Sequence, residues 1–229
     1  MSKYVLVPDS FKGTMTSREI CEIMQHAIER IDSDAKIISV PVADGGEGSV
    51  DAFLSALGGK RKAITVTGPH FEKLSSSYGI TDDGTAVIEM SACAGLPLVY
   101  GKKNPELTTT YGVGELICNA ARSGAKRIVI GLGGSATNDG GCGAAAAAGI
   151  KFYDKSGKSF IPVGKTLKDI ASIDYSGLDS ALSGVSISAM CDVDNPLLGE
   201  TGAANVFGPQ KGATPEQVAL LDQALSRYA

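Results

Sequence analysis

Gly131-Leu-Gly-Gly-Ser-Ala-Thr-Asn-Asp-Gly-Gly-Cys-Gly143 follows the apolar run Ile128-Val-Ile130 and precedes five alanines, an order that reads as strand, glycine loop and helix start. A loop of this composition can turn several backbone N–H groups toward one point at the positive end of a helix, where an anion such as phosphate is stabilised. Its six glycines exceed what a turn needs and leave room for a bulky group to approach. The unit sets the fold class as α/β.

The same unit recurs upstream. Lys3 to Val7 is a continuous apolar run, which predicts a buried parallel strand. Asp9-Ser-Phe-Lys-Gly13 follows as a loop, and Thr16 with Glu19 forms a capping-box pattern before the helical spacing of Ile20, Ile23, Met24, Ala27, Ile28 and Ile31. Lys36 to Val42 repeats the strand signal. Ala43-Asp-Gly-Gly-Glu-Gly48 then leads into a helix through Val50, Phe53, Leu54 and Leu57, closed by Gly58-Gly59, and Ala63 to Thr67 reads as a third strand. This β-α-β-α-β order predicts a two-lobed α/β protein whose first lobe, residues 1–68, is a parallel, doubly wound sheet of Rossmann or flavodoxin type. Asp9, Lys12, Asp44 and Glu47 fall on the edge formed by its strand C-terminal ends, where function is expected.

Beyond Gly68-Pro69 the texture changes, and residues 69–229 are expected to form a second, mixed α/β lobe. Ser75 to Thr81 and Thr85 to Met90, separated by Asp82-Asp83-Gly84, predict a β-hairpin. Thr108-Thr-Thr-Tyr-Gly-Val-Gly-Glu115 introduces a helix to Ala121, and Lys126 to Ile130 is the strand feeding the glycine loop. Glu115 reads as a first-turn acid. Ile150 to Tyr153 and Val185 to Met190 are further strands, the second running into Cys191-Asp-Val-Asp-Asn-Pro196. Thr214-Pro-Glu216 starts a helix that continues to Ala229, so the chain stops inside a helical pattern, as a bluntly ending product or a fragment would.

The formal charge of −4 has both signs interspersed and no basic run, which argues against nucleic acid or an anionic membrane surface as partner. The N-terminus has too short an apolar stretch for a signal peptide, and no later segment spans a bilayer, so a cytoplasmic protein is expected. Five cysteines lack metal or redox spacing and read as reduced thiols. With only His26 and His70, neither beside a nucleophile motif, a general base is expected to be a carboxylate.

Asp44-Gly-Gly-Glu-Gly48 and Asp139-Gly-Gly-Cys-Gly143 share the pattern Asp-Gly-Gly-x-Gly between a strand and a helix. Each would set a carboxylate beside backbone donors, an arrangement suited to magnesium and phosphate together, although loop-building alone also accounts for it. The glycine loop has a rival parse. Gly131-x-Gly133-x-x-Ala136 matches a dinucleotide fingerprint, with Asp154 as the ribose acid. That parse would put Gly140 and Gly141 in the helix interior at about 1 kcal/mol each, whereas a helix starting near Gly143 avoids the cost. No Walker pattern is present. Lys12, placed before Gly13 at a strand end, can be a surface turn residue or meet phosphate or carboxylate; Asp9 shares the first alternative. Asp192 and Asp194 can form Asx turns or do chemistry, and Lys211 can be solvated or clamp phosphate.

Six segments taken together, Asp9-Ser-Phe-Lys-Gly13, Ala43 to Gly48, Thr110-Tyr-Gly-Val-Gly114, Gly131 to Gly141, Cys191 to Pro196 and Val206-Phe-Gly-Pro-Gln-Lys-Gly212, closely resemble the class I glycerate kinase family. The resemblance covers nearly the whole chain. It implies phosphoryl transfer from ATP to D-glycerate, typically at the 2-hydroxyl, with Mg2+, in a two-lobed cytosolic enzyme whose site lies in the cleft. It also implies chains longer than this one, with the additional part completing the first lobe. Such a reaction needs a cation for the carboxylate, a base for the hydroxyl, and metal plus backbone donors for the γ-phosphate. Residue chemistry and strand-end position suggest Gly133, Gly134, Ser135 and Asn138 for the ATP phosphates, Asp139 and Glu47 for magnesium, and Asp192 as base with Asp44 as competitor. Lys12 and Lys211 would neutralise charge on phosphoryl or carboxylate, with Asp9 beside the substrate. Oligomeric state is not fixed by the sequence.

Overall fold

The computed structural model describes residues 2–11 and 14–229. Strand β1 (Lys3–Leu6) pairs in parallel with β2 (Lys36–Ser39) through helix α1 (Ser17–Glu29). The expected capping box is present: Thr16 accepts from the Glu19 N–H, and the Glu19 carboxylate accepts from the Thr16 N–H. Helix α2 (Ser49–Leu57) begins after Gly48 at φ +93 and ends at Gly58 at φ +69, left-handed turns that a side chain would strain.

The third strand departs from expectation. β3 (Lys60–Thr67) does not extend the β1–β2 sheet but pairs antiparallel with β4 (Lys73–Ile80) along its whole length, from Lys60 opposite Ile80 to Thr67 opposite Lys73. The physical reason is the short connection after Thr67. Phe71 donates to the Gly68 carbonyl and Gly68 to that of Glu72, a tight turn that returns the chain beside itself, whereas a parallel partner requires a long crossover. Residue 68 therefore lies inside a hairpin, and β3 belongs to the larger sheet.

That sheet continues through β5 (Thr85–Glu89), antiparallel to β4 as the Asp82-Asp83-Gly84 turn requires. After α3 (Ser91–Ala94) and α4 (Tyr111–Arg122) come β6 (Arg127–Gly131), α5 (Cys142–Ala147), β7 (Lys151–Tyr153), β8 (Ser159–Phe160), β9 (Ser172–Asp174) and β10 (Ser186–Met190). β5, β6 and β10 run parallel, giving the order β10-β6-β5-β4-β3, while β7, β8 and β9 form a small antiparallel sheet. Helices α6 (Ala203–Phe207) and α7 (Pro215–Tyr228) complete the chain. The architecture is α/β, with a parallel pair, a five-stranded mixed sheet and a small antiparallel sheet among the described residues.

Two buried clusters hold it. Val66, Tyr78, Ile88, Leu116 and Ile128 pack between the mixed sheet and α4; Cys142, Phe152, Leu167, Leu221 and Leu225 pack under α7. Each large side chain so buried contributes about 1.5–3 kcal/mol. The β1–β2 pair is different. Only Leu6 of β1 is buried, and Val5, Val7, Ile38 and Val40 are exposed, as are Ile23 and Met24 on α1 and Ile31 just beyond it. The parallel pairing expected for β1 is present, but the expected burial is not. Among the described residues, no helix is long and apolar enough to cross a membrane.

Candidate active site at three strand ends

Register carries Gly131, the last residue of β6, between Glu89 at the end of β5 and Met190 at the end of β10. The chain after β2 comes down on this point. Gly133 N–H donates to the Gly45 carbonyl at 3.0 Å and Leu132 N–H to the Met190 carbonyl at 3.2 Å. The glycines are required by this meeting of backbones: a Cβ on Gly131 would overlap the Gly45 carbonyl, and one on Gly133 would sit 2.7 Å from Gly46 Cα. A Cβ on Gly45 would likewise lie 3.0 Å from the Met190 carbonyl oxygen. Asp44 and Asp192 are thus one and two residues from a shared contact. Asp44 Oδ1 accepts from Gly46 N–H at 3.0 Å, while Asp192 and Asp194 are exposed.

The glycine loop differs from a fan of free donors. Besides Leu132 and Gly133, Ala136 donates its N–H to the Ala94 carbonyl at 2.8 Å, and the Gly134 carbonyl accepts from Leu96 at 2.8 Å. Ser135 and Thr137 share a hydroxyl contact of 2.9 Å, and Thr108 Oγ1 donates to the Ala136 carbonyl at 2.8 Å. The loop is stitched to the segment after α3, with Gly134 held at φ +70. What the glycines admit at Gly131 and Gly133 is the Asp44 turn.

Helix α5 starts at Cys142 behind Gly141 at φ +77, close to the Gly143 start expected for a long loop and outside the dinucleotide motif. Asp154 is a turn former, its Oδ1 accepting from Ser156 and Lys158 N–H groups. Both findings oppose the dinucleotide parse.

Asp139 is 1% exposed. Its Oδ2 accepts from Thr110 N–H at 2.7 Å, Thr110 Oγ1 at 2.9 Å and Gly143 N–H at 3.2 Å, and its Oδ1 from Gly141 N–H at 3.1 Å. Four donors match the roughly four lone-pair sites of an ionised carboxylate. Oδ2 takes three of these bonds and Oδ1 one, inside a carboxylate enclosed by protein, a geometry that favours a capping role over the expected metal-ligand role. Asp139 instead pins the first turns of α4 and α5 together, and Thr110 Oγ1 reinforces the joint by accepting from Ala144 N–H at 2.9 Å. Burial raises its pKa, against the pull of those donors.

Lys211 reaches the same loop. Its Nζ donates to the Thr137 carbonyl at 2.6 Å, and burial lowers its pKa to about 8 despite the Asp139 charge. Between them Asn138 is 7% exposed, and its Nδ2 is buried without a hydrogen-bond partner among the described residues. An orphaned buried donor costs about 1–3 kcal/mol, so a ligand oxygen here would be well received.

A family model described as the glycerate kinase family matches residues 4–229. The chain belongs to the glycerate kinase family. A glycerate 2-kinase of Escherichia coli strain K12 is 47% identical over 229 residues, covering 99% of this chain and 60% of that protein. A glycerate kinase of Bacillus subtilis strain 168 is 48% identical with the same coverage. A crystal structure described as a glycerate kinase 2 from Salmonella typhimurium LT2 superposes with a TM-score of 0.86 at 45% identity, covering 100% of this chain and 62% of that one. The chain spans about 60% of the length of these curated relatives.

In this family member the remaining expected residues belong to segments other than the glycine loop. Asp9 is exposed, its Oδ1 accepting from Ser10 N–H at 2.7 Å. Lys12 lies outside the described residues. Glu47 is exposed and lines a cavity of about 400 Å³ between the α1 start and α2, with Ser10, Thr14, Arg18 and Asp51. Among the described residues no three His, Cys, Asp or Glu side chains cluster as a metal cage. Two buried side chains at the junction were not singled out by the sequence. Thr110 carried a signal, a threonine run before a helix. Glu89, 7% exposed, carried only the oddity of an acid closing an apolar strand.

Proposed function

We propose that this chain carries the phosphoryl-transfer loops of an ATP-dependent glycerate kinase that phosphorylates the 2-hydroxyl of D-glycerate in the cytoplasm. The observation that carries the reading is the meeting of the Gly131–Asp139 loop with the Asp44 turn and the Met190–Asp192 strand end, in a chain of the glycerate kinase family. In this reading Gly134, Ser135 and Asn138 contact ATP phosphates, the orphaned Asn138 Nδ2 donating to a phosphate oxygen, with Gly133 supporting the loop from behind. Lys211, positioned on Thr137, neutralises charge on the transferring phosphoryl. Asp192 takes the proton from the 2-hydroxyl as that oxygen attacks the γ-phosphorus and ADP departs; Asp44 is the alternative base. Substrate then lies toward Asp9 and the cavity containing Arg18, with Lys12 kept as a candidate on its sequence position alone.

Magnesium, when bound, neutralises phosphate charge and needs only one or two carboxylates alongside phosphate oxygens. Asp44 and Glu47 fit that requirement better than the enclosed Asp139. The apolar residues exposed on β1, β2 and α1 support a further proposal, that the first lobe is completed by polypeptide corresponding to the part of the relatives this chain does not span. A two-stranded sheet is marginal alone. That exposed surface also favours a second reading, in which this chain binds nucleotide without turnover.

The test is coupled ADP release with D-glycerate, on this chain and on one extended to the relatives' length. Asp192→Asn is expected to lower turnover about 10²-fold or more. Near-wild-type turnover removes Asp192 as base, and no glycerate-dependent ADP from the extended chain removes the kinase reading.

A further inference from the structure

Glu89 closes β5 on the same rung as Gly131 and points an ionisable group into the junction of the two glycine turns. Its Oε1 accepts from Val50 N–H at 2.7 Å, in the first turn of α2, and the Gly48 N–H adds a weaker interaction. The turn is thereby held from two sides. Gly133 takes the Gly45 carbonyl from one, and Glu89 takes the α2 amides from the other. Between these anchors, Ser49 Oγ donates to the Gly46 carbonyl at 2.7 Å and Gly46 N–H donates to Asp44 Oδ1. Gly48, at φ +93, has no side chain with which to cap its own helix, so the cap comes from another strand.

We infer that Glu89 is a positioning residue, a cap supplied from β5 that fixes the Asp44 carboxylate against the glycine loop. Burial alone would disfavour an acid here. Thr85, Ala86, Val87 and Ile88 make up the rest of β5, all buried, and desolvation raises the Glu89 pKa above its ordinary value, with the Val50 N–H and Arg61 opposing the rise and Asp51 adding to it. A buried acid kept at that cost has a task, and the contacts identify it as α2 and through it Asp44. The arrangement mirrors Asp139, which caps α5 from within its own loop. The Asp44 copy of the motif borrows its buried carboxylate from a neighbouring strand.

The role of Asp44 in phosphoryl transfer rests on the proposed function; the clamp itself does not. Amide hydrogen exchange on the full chain separates the two. In Glu89→Ala, Val50 and Gly46 amides are expected to exchange about tenfold faster, Gly46 reporting directly on Asp44, while Thr110 and Gly143 at the Asp139 joint stay unchanged. Glu89→Gln keeps an acceptor oxygen and is expected to restore most of the protection. Unchanged Gly46 and Val50 exchange in Glu89→Ala, or equal acceleration at Thr110 and Gly143, overturns the inference. In the extended chain, Glu89→Ala is expected to lower kcat about tenfold with KM for ATP within twofold, and Glu89→Gln to recover it. Loss of KM alone counts against positioning, whereas a wild type with no ADP release refutes the kinase reading and leaves the exchange result to decide the clamp.

Discussion

Replacing Asp139 by Asn tests whether this acid is a structural pin or a metal ligand. Asn offers one acceptor oxygen where Asp has two. Its best orientation keeps the oxygen on the three donors Thr110 N–H, Thr110 Oγ1 and Gly143 N–H and turns Nδ2 toward Gly141 N–H, a donor facing a donor. The substitution therefore loses one hydrogen bond outright and the charge assistance of three others. A bond to a charged group is worth about 1.5–3 kcal/mol and a neutral one about 1, so the net loss is about 2–4 kcal/mol after crediting the removed desolvation of a buried charge. For a chain of this size that is a fall in Tm of roughly 4–16 °C. Thermal and urea denaturation without nucleotide or metal measure it directly. A metal ligand predicts the opposite, since deleting an uncompensated buried charge in the absence of metal leaves stability unchanged or raised. A Tm within 1–2 °C of wild type refutes the pin.

Three further outcomes follow from the geometry. Gly133→Ala places a methyl against Gly46 Cα, and overpacking of backbone on backbone is expected to cost about 1–3 kcal/mol and to abolish nucleotide protection; a variant with wild-type Tm contradicts the contact. Lys211 has a folded pKa of about 8 against about 10.4 unfolded, so between those values the unfolded chain binds a proton the folded chain does not, and stability rises with pH. Discounted for its half-buried position, wild type is expected to gain about 1–3 kcal/mol on Lys211→Met between pH 8 and 10.4. Parallel stability curves across that window contradict the enclosed amine. Asp83, held down to about 2 by Thr81 and Thr85 hydroxyls, the Thr85 N–H and the Arg127 charge, is expected to stay ionised at pH 3 by NMR titration, and a midpoint near 4 contradicts those contacts.

The sequence exposes what is local. Strand, glycine turn and helix start at Gly131–Gly143 are written in residue order, as are the Thr16 and Thr214 caps and the Asp82-Asp83-Gly84 hairpin, because each depends on neighbours within four residues. Partner choice is less visible. The apolar spacing of Ala63–Thr67 says strand, and only the turn at Gly68–Glu72 decides that its neighbour is β4. The glycines at 131 and 133 were legible as room for something bulky, but the occupant, another glycine turn, is 86 or more residues away in the chain and leaves no local mark. Asp139 was legible as special, but its hydrogen-bond partners were not. Four donors arriving from Thr110, Gly141 and Gly143 make it a cap, and no spacing rule foretells that convergence. Glu89 was invisible for the same reason.

The central claim is that the Gly131–Asp139 loop, backed by the Asp44 turn, receives the phosphates of ATP. Thermal unfolding of the chain with Mg-ATP or NAD measures this most directly. At a hundredfold excess over Kd a bound nucleotide adds about 2.7 kcal/mol, or roughly 5–11 °C. Mg-ATP is expected to give that shift, and Asn138→Leu to remove it, with NAD giving none. A shift with NAD but not with Mg-ATP, or an undiminished Mg-ATP shift in Asn138→Leu, contradicts the account.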